Sequence, residues 1–166
     1  IALLFMLGLA RRYRETQESI RRGLLGSPMG QALKGKTAAI IGYGGIGRAL
    51  AQRLSGFGMT LFAVSKHGPR ARDDQDEKLL EKHLDQQGLH DALVAADFVI
   101  TAPPLNEETR GLMGRTEFEC MKPGSFLINV ARGPVIDYEA LLYALKEERI
   151  AGAGLDVFWE EPFNPD

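Results

Sequence analysis

The sequence predicts an α/β fold in three layers, α/β/α, built as one domain over residues 1–166 around a parallel sheet covered on both faces. Two observations carry that expectation. Short apolar runs suited to buried strands alternate along the chain with stretches of helical spacing. The first such run, Thr37–Ile41, passes directly into Gly42-Tyr43-Gly44-Gly45-Ile46-Gly47, a glycine turn that opens a helix.

Taken in order, apolar residues at Leu3, Leu4, Leu7 and Ile20, with the charged stretch Arg11 to Glu18 between them, predict a first helix. It leaves the core midway and ends near Arg22-Gly23. Leu25 to Gly35, with three glycines and Pro28, reads as a connecting loop. Then follow a strand at Thr37–Ile41, a helix at Gly45–Ser55 and a strand at Met59–Val64. The mixed-charge stretch His67 to Gln87 reads as a solvated loop and helix face without chemistry of its own. Leu89–Ala96 is a helix, and Asp97–Ala102 is a buried strand stopped by Pro103-Pro104. A short helix at Thr116–Met121, a strand at Ser125–Val130, a helix at Tyr138–Glu147 and a last strand at Ala151–Asp156 complete the pattern.

Composition narrows the partners. A net charge of −2 with 25% charged residues gives no basic field for nucleic acid or anionic lipid, so small molecules or protein are expected. The apolar opening from Ile1 to Leu9 is too short to cross a bilayer, and Arg11, Arg12 and Arg14 follow it, so it reads as a docking helix and no membrane partner is expected. That opening starts inside a helical run, without Met, and the chain is expected to be part of a longer protein. The single cysteine, Cys120, excludes an internal disulfide and a multi-cysteine metal site, and no metal is expected. A reducing, cytoplasmic location follows, with an organelle reached by a cleaved targeting peptide as the alternative.

Gly42, Gly44 and Gly47 fall on the G-x-G-x-x-G spacing of a Rossmann-type, doubly wound sheet. The first permits the tight turn, the second lets backbone approach a pyrophosphate, and the third lets helix pack on strand. Tyr43, Gly45 and Ile46 complete the loop, with Tyr43 and Ile46 placed to shield the phosphates and Arg48 read equally as a cofactor contact or a helix-surface charge. About 20 residues past the glycines, where a carboxylate reads the ribose of NAD, stands Ser65. Lys66 and His67 follow at once, with Arg70 and Arg72 close behind, and no acidic residue lies between Gly47 and Asp73. That favours NADP(H), with NAD(H) as the alternative. Ala102, Pro103 and Pro104 end a strand where backbone would pass the adenosine ribose. Arg132, just beyond the Phe126-Leu127-Ile128 strand, offers a planar cation for a carboxylate in the crevice at the sheet's carboxyl ends.

Several stretches together resemble one family. They are Gly35-Lys36-Thr37 leading to Ile41–Gly47, Phe57-Gly58-Met59, Ala96-Asp97 through Pro104-Leu105 with Glu108-Thr109-Arg110, Met121–Gly124 through Ile128–Gly133, and Ala153–Phe158 through Glu161-Pro162. This ordered set, spanning nearly the whole chain, resembles the nucleotide-binding domain of the D-isomer-specific 2-hydroxyacid dehydrogenases, in their glyoxylate and hydroxypyruvate reductase-like form. The resemblance implies a fragment of a two-domain enzyme, a homodimer through this domain, and hydride transfer between NAD(P)H and a small 2-keto or 2-hydroxy acid. It places the substrate-binding arginine on Arg132 and the carboxylate that orients the catalytic histidine on Glu161. It puts Asp156 near the nicotinamide carboxamide, Thr109 on the nicotinamide side, and Val130, Ala131 and Arg132 among the cofactor contacts. The histidine itself would follow Glu161-Pro162, so His67, His83 and His90 do not qualify, and these residues alone are expected not to turn over. The family also includes a nucleotide-sensing corepressor, which leaves a binding module as the alternative.

Overall fold

In the computed structural model, which describes residues 1–69 and 78–162, six parallel strands form one sheet. They are β1 (Thr37–Ile41), β2 (Thr60–Val64), β3 (Lys82–Leu84), β4 (Phe98–Thr101), β5 (Phe126–Asn129) and β6 (Gly152–Leu155). Their spatial order is β3-β2-β1-β4-β5-β6, the doubly wound arrangement whose direction of winding reverses between β1 and β4. Register is tight at that point: Ile41 pairs with Val64 on one side and Thr101 on the other.

Strand β1 shows why the sheet needs two covering layers. Ala38 and Ile40 join a core with Leu61, Phe98 and Ile128, whereas Ala39 and Ile41 join the opposite core with Phe62, Val99 and Leu127. Side chains alternate across a strand, so a run apolar at every position is buried on both faces. The first face is covered by α1 (Ala2–Ala10) and α3 (Gly45–Ser55), which bury Met6, Leu50 and Leu54. The second is covered by α4 (Leu89–Ala95), α5 (Arg115–Cys120) and α6 (Tyr138–Lys146), which bury Leu93, Phe118 and Leu141. Cys120 packs partly buried against this second core.

Two expectations are corrected. The predicted first helix is two, α1 and α2 (Tyr13–Arg21), because Arg12 between them adopts a left-handed backbone, φ 49°. The charged run Arg11 to Glu18 cannot continue along an apolar sheet face, and α2 buries no residue. The second correction concerns the stretch from His67 to Gln87, which is not merely loop and helix face. Lys82–Leu84 forms the edge strand β3, paired in parallel from Phe62↔Lys82 to Val64↔Leu84. A single 3-10 turn at Gln86–Gly88 follows, capped by the Asp85 carboxylate accepting from Gln87 N at 3.0 Å.

Glycines in β6 admit α1. A Cβ on Gly154 would lie 2.6 Å from Phe5 Cβ, and one on Gly152 would press on Leu9. Replacing Gly154 by Val should therefore push α1 off the sheet and cost roughly 1–3 kcal/mol. A lowered urea midpoint is the expected readout, and an unchanged midpoint would contradict this packing.

Candidate functional site

Above the carboxyl ends of β1, β2 and β4 lies a cavity of about 340 Å³, reaching from the glycine turn across to Thr109. The turn is built by exclusion of side chains. Gly42 has φ +98°, and a Cβ there would lie 2.5 Å from Pro103 N, so β1 and the chain leaving β4 touch backbone to backbone. A Cβ on Gly47 would overlap the Gly42 carbonyl, so α3 can pack this closely only with glycine there. Gly44 differs from both, because a Cβ on it would meet nothing within 4 Å. Its bare backbone faces open space at the N-terminus of α3. The first amides of that helix have no carbonyl one turn earlier to bond, and the helix dipole adds partial positive charge. Such a cradle fits the pyrophosphate of a dinucleotide.

The cavity's far end holds the predicted ribose-reading position. Ser65 Oγ lies 3.0 Å from the Gly68 carbonyl and 2.8 Å from His83 Nε2. Lys66 lines the cavity too, and its ammonium pairs with Glu108 at 2.6 Å, across from β2 to the loop after β4. His67 is exposed and stands apart from the cavity lining, while Arg70 and Arg72 lie outside the described residues. Tyr43 is buried with its ring edge-on to His83 at 5.1 Å, and Arg48 sits over the Tyr43 ring. Ile46 is exposed. Ala102, Pro103 and Pro104 form the β4 wall. Thr109 lines the same cavity as Ser65, its hydroxyl donating to the Pro104 carbonyl at 2.6 Å.

A second group gathers at the ends of β5 and β6, organised by the fully buried Asn129. Its Oδ1 accepts from Thr101 Oγ1 at 2.9 Å and from Ala131 N at 3.0 Å, and its Nδ2 donates to the Arg132 carbonyl at 3.0 Å. The Asn129 carbonyl accepts from Asp156 N at 3.0 Å. The side-chain amide thus fixes the Val130-Ala131-Arg132 loop and joins it to β4, while the backbone carbonyl holds the residue after β6. A Cβ on Gly133 would overlap the Phe158 carbonyl, so the loop lies directly on the chain that leads to Glu161. Arg132 and Asp156 are exposed, and among the described residues the Arg132 guanidinium makes one hydrogen bond, to the Ala131 carbonyl at 2.7 Å. Glu161 accepts from Phe158 N at 3.0 Å, which closes a turn.

Sequence reasoning left Arg48 open between a cofactor contact and a helix-surface charge, and it lines the cavity. Two contributors were missed: His83 stands beside Ser65, and Asn129 holds the arginine loop. The asparagine was the readable one, since a polar residue closing an apolar strand must find partners. Among the described residues no group of three or more His, Cys, Asp or Glu could hold a metal ion, and no helix is long and apolar enough to cross a membrane.

Fold and cradle together define a dinucleotide-binding α/β domain. The profile of the D-isomer specific 2-hydroxyacid dehydrogenase NAD binding domain matches residues 3–166, and the chain belongs to this family. A nicotinamide dinucleotide is therefore its cofactor. Glyoxylate reductase from Thermococcus gammatolerans is 43% identical over 95% of this chain and 48% of its own length. Glyoxylate/hydroxypyruvate reductase B from Salmonella newport is 40% identical over 97% and 50% respectively. The crystal structure of phosphoglycerate dehydrogenase from Lactobacillus plantarum superposes with a TM-score of 0.88 at 32% identity, covering 99% of this chain and 52% of that one. The chain spans about half the length of the curated relatives it matches.

Two comparisons test this geometry. Gly42→Ala should cost roughly 2–5 kcal/mol, from left-handed strain plus the overlap with Pro103. Gly44→Ala should stay within about 1 kcal/mol of the parent chain, yet weaken dinucleotide binding about ten-fold or more. Equal effects on urea stability and on affinity for the two variants would refute the assignment of their roles. Asn129→Ala strands the Ala131 amide and the Arg132 carbonyl and should cost roughly 2–4 kcal/mol. Retention of the parent's urea midpoint would show that the network does not hold the loop.

Proposed function

We propose that this chain is the cofactor half of a reductase that transfers hydride between NAD(P)H and the carbonyl carbon of a small 2-keto acid, or runs the reverse oxidation of a 2-hydroxy acid. The observation that carries the reading is the Asn129 network, which presents Arg132 and Asp156 on neighbouring strand ends beside the dinucleotide cradle. When bound, the reduced nicotinamide supplies two electrons as hydride. Arg132 binds the substrate carboxylate through its planar fork, with Asn129 limiting the backbone freedom of its loop. Asp156, Val130 and Ala131, at the ends of β5 and β6, would contact the nicotinamide end. Glu161 orients an imidazole that gives its proton to the developing alkoxide.

That imidazole belongs to a part of the protein beyond this domain. His83 on β3 is four strands from β5, roughly 19 Å at the usual spacing, and His90 is paired with Glu117 at 3.1 Å. The 166 residues alone therefore bind cofactor without turnover, and residues 1–166 belong to the nucleotide-binding part of a two-domain enzyme. NADP(H) is the preferred cofactor, because Ser65 places a hydroxyl where a carboxylate would repel a 2′-phosphate. Lys66 contributes only in competition with Glu108, with which it is paired. A second copy of this domain is the partner of α1, whose Leu4 and Leu7 stay exposed.

In the protein that joins this domain to its substrate-binding half, glyoxylate or hydroxypyruvate should oxidise NADPH, followed as loss of reduced-nicotinamide absorbance. Arg132→Met should lower kcat/KM about 10²–10⁴-fold, as expected for losing a two-pronged charged contact, with cofactor affinity changed by no more than about three-fold. Absence of any absorbance change with either coenzyme and either keto acid would overturn the proposal.

A further inference from the structure

The Ser65 end of the cavity contains a residue that the glycine motif and its spacing do not point to. Of the described cations that directly follow β2, Lys66 is already paired with Glu108, and His67 stands apart from the lining. His83 comes from a different strand. Through the pairing Ala63↔His83 the edge strand carries its imidazole to the cavity wall, 2.8 Å from the serine hydroxyl. It is half-buried there, with the Tyr43 ring edge-on at 5.1 Å limiting its rotation.

Ser65 has one hydroxyl proton and two neighbours. When that proton goes to the Gly68 carbonyl, His83 Nε2 carries its own and donates to Ser65 Oγ. This arrangement serves the neutral Nε2–H tautomer and the imidazolium alike, so the ring can gain charge without breaking the contact. Among the described residues, the charged and titratable groups around this end of the cavity are Tyr43 and Arg48 from the turn and α3, Lys66 after β2 and Glu108 after β4. Lys82 and Asp85 flank His83 on its own segment.

We propose that His83, together with Ser65, forms the subsite for the 2′ substituent of the adenosine ribose, and that the charge on its imidazole sets the preference for a 2′-phosphate over a 2′-hydroxyl. This rests on the dinucleotide reading above. An imidazolium attracts the phosphate and is indifferent to the hydroxyl, so NADPH binding favours the charged ring and NADH binding does not. The sign follows from that linkage: the advantage of NADPH is largest at acid pH and is lost as pH rises through the titration of the imidazole.

The test is the affinity of the full 166-residue chain for NADPH and for NADH, read by nicotinamide fluorescence between about pH 5.5 and 8.5, where imidazoles titrate. The ratio of the two affinities should fall about ten-fold or more over that range, the size expected for one charge near the surface. In His83→Gln, whose amide still reaches Ser65, the fall should vanish. The phosphate's own ionisation near pH 6 adds negative charge as pH rises, opposite in sign to the loss of the imidazolium, and His83→Gln reports it without the imidazole. As a check that needs no variant, the ring proton resonances of His83 should titrate at higher pH with NADPH bound than with NADH. If both coenzymes bind but their affinity ratio runs parallel in the two proteins, and the His83 resonances titrate alike with either, the proposal fails while the dinucleotide site stands. If neither coenzyme binds at any pH, the reading beneath it fails as well.

Discussion

Backbone must approach backbone at the end of β1, and the geometry of this domain follows from that approach. Gly42 lies against Pro103 and Gly47 against the Gly42 carbonyl, at distances that leave no room for a methyl group. These contacts bring β1, β4 and the start of α3 to one point where the winding of the sheet reverses. A crevice is the necessary result, since the helix on one side and the loop after β4 on the other leave the strand ends uncovered between them. The open space at Gly44 is what remains when its neighbours are packed this tightly. The anion-binding character of the site is thus not added to the fold, because the same missing side chains that let α3 dock also leave its first amides bare.

The second organising feature acts at the other end of the crevice. Asn129 ends a strand that is buried throughout, and a polar side chain in that position must be satisfied on every side. The side chain finds its partners on β4 and in its own following loop, and the backbone carbonyl accepts from the residue after β6, so Asn129 ties together the three segments that carry Thr101, Arg132 and Asp156. Gly133 then allows the arginine loop to rest on the chain before Glu161. Strand β5 is two strands from β1, roughly 10 Å across the sheet, and the interval between cradle and guanidinium is fixed by strand spacing instead of by flexible loops.

Much of this could be read from the residues alone. Five of the six strands announce themselves as apolar runs bounded by glycine, proline or charge, and the glycine spacing located the cradle. Strand β3 did not, because three residues with Lys82 exposed carry no periodicity and owe their conformation to the neighbouring β2. The break between α1 and α2 was equally hidden, since nothing in Arg11-Arg12 marks a left-handed residue. The site followed the same division. Residues placed by local chemistry, such as Gly42, Gly44, Gly47 and Ser65, were legible, whereas His83 reaches the cavity through tertiary packing, which no spacing rule records. His67 shows the converse, being adjacent in sequence to Ser65 and yet apart from the cavity.

The most direct measurement is a crystal structure of this chain grown with a nicotinamide dinucleotide. Pyrophosphate oxygens within hydrogen-bonding distance of the amides at Gly44 to Ile46, with the ribose against Ser65 and the nicotinamide toward Arg132, would be the predicted result. A dinucleotide bound elsewhere, or one whose phosphates avoid the start of α3, would contradict it.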